Sequence, residues 1–137
     1  MEAPSVLISP GTGMRMTVLL DSYCWFEYFF GSPTGKKLLE VLDSGEEIAV
    51  SSINVFEVYR KYLKENPSQA MEKRRFIATR AKVVAAGEEI ASLAAEVSAK
   101  HGLHATDALI YATAVMLGCT LLTGDPHFNK LPKVKML

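Results

Sequence analysis

With 137 residues, 49% of them hydrophobic and 22% charged, the chain is long enough to bury one core, and a mean hydropathy of +0.14 excludes a disordered polymer. The lack of any long uncharged apolar span excludes a membrane-spanning helix, and two cysteines, Cys24 and Cys119, without CxxC or Cys/His spacing exclude a disulfide framework or a structural zinc site. The N-terminus carries Glu2 and is broken by Pro4, Pro10, Gly11 and Gly13 where a secretory signal needs basic and then apolar residues, so a cytoplasmic protein is expected, with 1–15 a flexible leader and 16–137 a single domain.

Taken in order, Thr17 to Leu20 is an apolar run without polar alternation, read as a strand buried on both faces, and it ends in Asp21. Ser22 to Phe30 is aromatic-rich and stops at Gly31, a helix closed by a glycine cap; Ser32-Pro33 opens a second helix that runs to Gly45. Ile48 to Val50 is a short strand, and Val55, Phe56, Val58, Tyr59, Tyr62 and Leu63 mark a helix ended by Asn66-Pro67. A charged helix from Ser68 to Thr79 and a third strand from Lys82 to Ala86 follow, then helices over Glu88 to Lys100 and Ala105 to Leu117. Cys119 to Leu122 is a fourth buried strand, Thr123-Gly124-Asp125-Pro126 a turn, and Val134 to Leu137 a short last strand. Strands alternating with helices predict a parallel sheet covered on both faces, a three-layer α/β/α domain.

In such a sheet the C-terminal edge of the strands is where ligands bind. Asp21 ends its strand there. The helix after Asp107 rises about 16 Å and the strand that follows returns about as far, so Asp125 is expected at the same end. Glu57, in the first turns of the helix after the second strand, joins them. Each acid has a plain alternative: Asn54-Val55-Phe56-Glu57 fits a capping box, Asp107 suits a helix dipole, and Asp125 before Pro126 suits an Asx-turn. Four converging carboxylates would repel one another unless a divalent cation neutralised them, and all-oxygen ligands suit Mg²⁺ or Mn²⁺.

The residues Leu19-Leu20-Asp21-Ser22-Tyr23-Cys24-Trp25, Glu57-Val58-Tyr59, Thr106 to Ala114 and Leu121-Leu122-Thr123-Gly124-Asp125-Pro126-His127-Phe128 resemble the four motifs of PIN-domain ribonucleases, most of all the VapC-type toxins of toxin–antitoxin pairs. The resemblance runs from Met16 to Leu137. It implies a PIN-like fold and an acidic metal-binding quartet of Asp21, Glu57, Asp107 and Asp125, with Thr123 supporting the site through its hydroxyl. It also implies Mg²⁺- or Mn²⁺-dependent hydrolysis of single-stranded or looped RNA, a cognate antitoxin that covers the site, and a homodimer. Tyr23 departs from the family pattern, in which many members carry a small polar residue, and the leader has no counterpart in it.

Formal net charge is zero, yet Arg60 to Lys82 carries +6 and the rest of the chain −6. A basic face beside metal-loaded acids suits a polyanion, and Lys73, Arg74 and Arg75 are the expected RNA contacts; solvated helix faces are the plain reading of the same charges. His127 could touch phosphate but is assigned to the surface or to loop packing, His101 and His104 receive no metal role, and Trp25, Tyr28, Phe29 and Phe30 are assigned to core or dimer packing rather than to base stacking. Two other functions fit the residues less well: a PIN-like module that binds RNA or protein without cutting, and a phosphoacceptor receiver domain. The latter pairs acids after its first strand, where Asp21 stands alone, and needs a lysine where Thr123-Gly124-Asp125 stands.

Overall fold

The structure, a computed structural model, describes residues 16–137; the leader expected over 1–15 lies outside them. The described residues form twelve elements: β1 (Met16–Leu20), α1 (Ser22–Phe30), α2 (Pro33–Asp43), β2 (Glu47–Ser51), α3 (Ser52–Glu65), α4 (Pro67–Arg80), β3 (Lys82–Val84), α5 (Glu88–His101), α6 (Ala105–Leu117), β4 (Thr120–Thr123), a 3₁₀ turn (Pro126–Phe128) and β5 (Val134–Met136). The strands form one sheet in the order β3-β2-β1-β4-β5, every pair parallel. From β1 the chain moves outward to β2 and β3, then returns to place β4 on the other side of β1. The crevice between the ends of β1 and β4 is therefore the switch point, where open α/β sheets bind ligands.

Strand alternation divides the core into two layers. Leu19, Ala49 and Leu121 pack with Ile90, Ala94, Ile110 and Ala114 of α5 and α6. Their neighbours Leu20, Ile48, Val50 and Leu122 pack with Trp25, Leu38, Val58, Tyr62 and Ile77 of α1 to α4. Both faces are covered, which is why the strands lack polar alternation and why the fold is the three-layer α/β/α arrangement. Both cysteines are buried, Cys119 in the first layer and Cys24 in the second. No helix among the described residues is long and apolar enough to cross a membrane.

Local chemistry sets the boundaries. Gly31 and Gly118 end their helices at φ 71° and 69°, a left-handed conformation that costs glycine little. The Ser32 hydroxyl accepts from Gly35 N at 2.9 Å and donates to Glu27 Oε1 at 2.7 Å, tying the start of α2 to α1. The helices meet so closely that a Cβ on Gly35 would lie 2.1 Å from the Glu27 carbonyl oxygen. Gly35→Ala should therefore cost about 1 to 3 kcal/mol by overpacking, read as a lower urea midpoint at unchanged slope. A wild-type midpoint would mean that α1 and α2 separate freely.

Two expected boundaries are corrected. β3 stops at Val84, not Ala86, because its partner β2 ends opposite it at Ser51, and Ala86 N instead donates to the Ser52 hydroxyl at 3.2 Å. Thr123 belongs to β4 and not to the following turn, since it pairs with Met136 and its carbonyl accepts from Leu137 N at 2.8 Å.

Candidate active site

Asp21 leaves β1 at the switch point with its backbone N–H donating to the Leu122 carbonyl of β4 at 3.1 Å, and the residue is 5% exposed. Its Oδ2 accepts from the Thr123 hydroxyl at 2.7 Å, and the same hydroxyl oxygen accepts from Asp125 N at 3.0 Å. Thr123 thus couples the acid that follows β1 to the acid that follows β4. Burial is the main reason that the Asp21 carboxyl is pushed up from 3.8 to about 6; repulsion from Glu57 and Asp107 adds to it, and the Thr123 hydroxyl opposes it.

Glu57 is held from below. The capping box expected at Asn54 to Glu57 lies one turn earlier: the Ser51 hydroxyl accepts from Ile53 N at 3.0 Å, and Asn54 Oδ1 accepts from Ser51 N at 3.0 Å. Glu57 is released from capping. The fully buried Asn54 donates through Nδ2 to the Ser22 hydroxyl at 2.9 Å, which donates to Glu57 Oε1 at 2.6 Å. This relay orients one carboxylate oxygen. Neither Ser22 nor Asn54 was legible as part of the site, since both look like ordinary helix-start residues. Ser22→Ala should reduce any metal-dependent turnover about 10- to 100-fold, the usual effect of losing a group that orients a ligand, and cost about 1 to 3 kcal/mol of stability by leaving the buried Asn54 Nδ2 unpaired. A variant that loses stability yet keeps full turnover would make Ser22 merely structural.

Asp107 opens α6, and desolvation followed by repulsion from Asp125 and Glu57 raises its carboxyl, with His127 and His104 opposing the shift. Asp125 does make the Asx-type turn, Oδ1 accepting from His127 N at 2.9 Å. That turn folds the His127 ring back over the acids. Its Nδ1 lies 2.9 Å from Asp125 Oδ1 and 3.9 Å from Asp107 Oδ2, and ligand atoms of these three residues all lie within 4.8 Å of one another. The His127 ring meets His104 edge-on at 5.9 Å, so this exposed turn histidine, expected at the surface or in loop packing, also borders two of the acids. The signal available in the sequence was its place two residues after an acid that precedes proline.

Among the described residues no lysine or arginine lies within salt-bridge distance of the four acids. Carboxylates gathered without a lysine or arginine partner, beside one imidazole, are a donor set that fits a divalent cation. Tyr23 packs its ring over Gly124, where a Cβ would lie 2.3 Å from Cε1. The Thr123-Gly124-Asp125 corner is thereby packed against α1, and a larger side chain there would require the Tyr23 ring to shift.

Lys73, Arg74 and Arg75 lie on α4, away from this cluster in the chain. Lys73 Nζ sits 4.9 Å from the centre of the Phe29 ring and Arg74 Cζ 5.4 Å from that of Tyr59, while Arg75 is exposed. The first two cations are thus engaged with aromatic faces.

The sequence matches the model of the PIN domain family over residues 18–134. The chain belongs to the PIN-domain family. No curated protein matches it significantly. Solved structures similar to this PIN domain include a toxin–antitoxin complex from Klebsiella pneumoniae, at 23% identity and a TM-score of 0.76, covering 88% of this chain and 97% of that one. VapBC2 from Rickettsia felis, bound to a DNA fragment from its promoter, matches at 20% identity and a TM-score of 0.72 over 89% of this chain and 98% of that one. DNA-bound VapBC from Salmonella typhimurium matches at 18% identity and a TM-score of 0.72, over 89% and 97%. At these identities the likeness is one of fold.

Proposed function

We propose that this PIN domain is a metal-dependent ribonuclease that hydrolyses phosphodiester bonds in RNA, and that it acts as the VapC-type toxin of a toxin–antitoxin pair. The observation that carries the reading is the gathering of Asp21, Glu57, Asp107 and Asp125 at the switch point with no lysine or arginine partner among the described residues. Family membership supports a nuclease, and the toxin–antitoxin complexes that share the fold support a protein antitoxin as the partner.

Asp107 and Asp125 would hold the cation, Asp21 and Glu57 would complete the acidic wall, and His127 would offer a nitrogen that suits Mn²⁺ better than Mg²⁺. A bound divalent ion supplies Lewis acidity, lowering the pKa of water and offsetting charge on the departing oxygen. Thr123 fixes the spacing of Asp21 and Asp125, and the Asn54–Ser22 relay fixes Glu57, so the carboxylates keep their geometry when the cation neutralises them. No side-chain base is then required. A cytoplasmic location and a homodimer complete the proposal.

The test is incubation of the purified protein with structured and unstructured RNAs in Mg²⁺, Mn²⁺ or EDTA, followed by end-group analysis. The expected result is cleavage in either metal, none in EDTA, and products with 5′-phosphate and 3′-hydroxyl ends. Undiminished cleavage in EDTA, or 2′,3′-cyclic ends, would overturn it.

A further inference from the structure

Glu57 is the first member of a stripe down one face of α3. Arg60, Lys61 and Lys64 follow it at helical spacings of three, four and seven residues, so their side chains share that face. The stripe extends about 10 Å beyond Glu57. A cleft of about 470 Å³ runs along it, lined by Phe26, Glu57, Arg60, Lys61, Lys64 and Glu65. A second hollow, of about 280 Å³, shares Lys61 and Glu65 with the first and continues over Phe30 and Tyr62 towards the start of α4. The two form one path that begins at an acid of the candidate active site.

Its chemistry is mixed in a specific way. Three cations face a single acid beyond Glu57, namely Glu65, which pairs with Lys61 at 3.0 Å. Aromatic rings lie between and beneath them: Arg60 Cζ is 5.0 Å from the centre of the Phe56 ring, Lys61 Nζ 5.6 Å from that of Phe26, and Phe26 and Phe30 stack at 6.2 Å. Phe30 and Phe56 are 60% and 53% exposed, unusual for phenylalanines that serve only the core. Cations that follow a backbone, interleaved with exposed aromatic faces, are the pattern that binds unpaired nucleic acid, whose phosphates meet the charges while its bases stack on the rings.

We infer that the α1/α3 face from Glu57 to Phe30 is the path along which single-stranded RNA leaves the candidate active site, with Arg60, Lys61 and Lys64 holding its phosphates and Phe30 and Phe56 stacking its bases. The inference rests on the ribonuclease reading and moves the main RNA contacts from α4 to α3. A duplex presents no free base faces to the rings, so single strands are preferred.

Fluorescence anisotropy of labelled oligouridylate, measured over a salt series with Ca²⁺ neutralising the acids, tests it on the intact chain. Arg60→Gln with Lys64→Gln should weaken binding at least about tenfold and lower the salt slope by roughly 1.4, two phosphate contacts on a single strand. Phe30→Ala should weaken binding roughly tenfold with the slope unchanged. Lys73→Gln with Arg75→Gln should have the smaller effect, and melting curves would show that these surface variants remain folded. Wild type that cuts RNA in Mg²⁺ or Mn²⁺ while the α3 variants bind like wild type would overturn the path alone. The same variants weakening oligoglutamate as much as oligouridylate, with no effect of Phe30→Ala, would assign the face to an acidic polypeptide and also overturn it. Wild type that cuts no RNA in either metal would remove the ribonuclease reading and the path with it.

Discussion

Asp125→Asn is expected to abolish metal-dependent RNA cleavage, by on the order of a thousandfold or more, while leaving the metal-free protein at least as stable as wild type. The substitution separates two roles that one side chain fills. As a turn former, Asp125 needs only an oxygen that accepts from His127 N, and asparagine keeps that oxygen. As part of the acidic cluster it needs charge, which repels Asp107 when no cation is present. Removing the charge therefore relieves repulsion without breaking the turn. The variant should also gain less thermal stability from added Mg²⁺, because a ligand stabilises the native state in proportion to its affinity. Melts in EDTA and in Mg²⁺ beside the cleavage assay decide it. A variant that melts well below wild type in EDTA yet keeps a normal Mg²⁺ response and activity would make Asp125 a turn residue only.

Asp21→Asn should stabilise the metal-free protein at neutral pH and flatten its dependence on acid. The folded carboxyl is raised to about 6 from 3.8, so between these values the native state holds a proton that the unfolded chain has released. Stability therefore rises as pH falls through that window. Above it the full cost of the buried charge is present, on the order of 3 kcal/mol. Asparagine carries no charge to desolvate and retains an oxygen for the Thr123 hydroxyl, so most of that cost should vanish. Urea titrations of both proteins in EDTA from pH 4 to 7 give the comparison. A wild type that loses stability on acidification across this range, with the variant parallel to it, would show that Asp21 is ionised without penalty. Cleavage by the variant should fall in either case, though less than for Asp125→Asn.

The architecture was legible because its signals are local. Apolar runs without alternation at Leu19-Leu20, Ile48 to Val50 and Leu121-Leu122 report burial on both faces, and Gly31 and Gly118 report helix ends. The convergence of Asp107 and Asp125 followed from length, since a helix and a strand of matching rise must return the chain to one edge. The side-chain partnerships were not legible. Asn54 and Glu57 offer two capping choices of similar local merit, and what decides between them is the Ser22 hydroxyl, supplied from 32 residues away in sequence to Asn54. The end of β3 depends on where β2 stops, and the fate of Thr123 on pairing with β5. The contact of the exposed His127 with Asp107 was hidden for the same reason: that partner comes from another element. Each miss concerns a choice that tertiary contact makes among several locally acceptable ones.

The hydrogen bond from Thr123 to Asp21 joins residues 102 apart in sequence. Closing a loop of that length costs entropy before any contact compensates it, so the bond belongs to the late, non-local part of folding. Until β4 has docked beside β1, neither Asp125 nor Thr123 has an Asp21 to meet. A nascent chain still short of β4 lacks Asp125, a folding intermediate holding only β1 to β3 carries half an acidic cluster, and neither has a switch-point crevice. Chemistry that needs both halves is thereby confined to molecules whose sheet is complete, and recovery of activity during refolding should follow the last structural phase rather than the first.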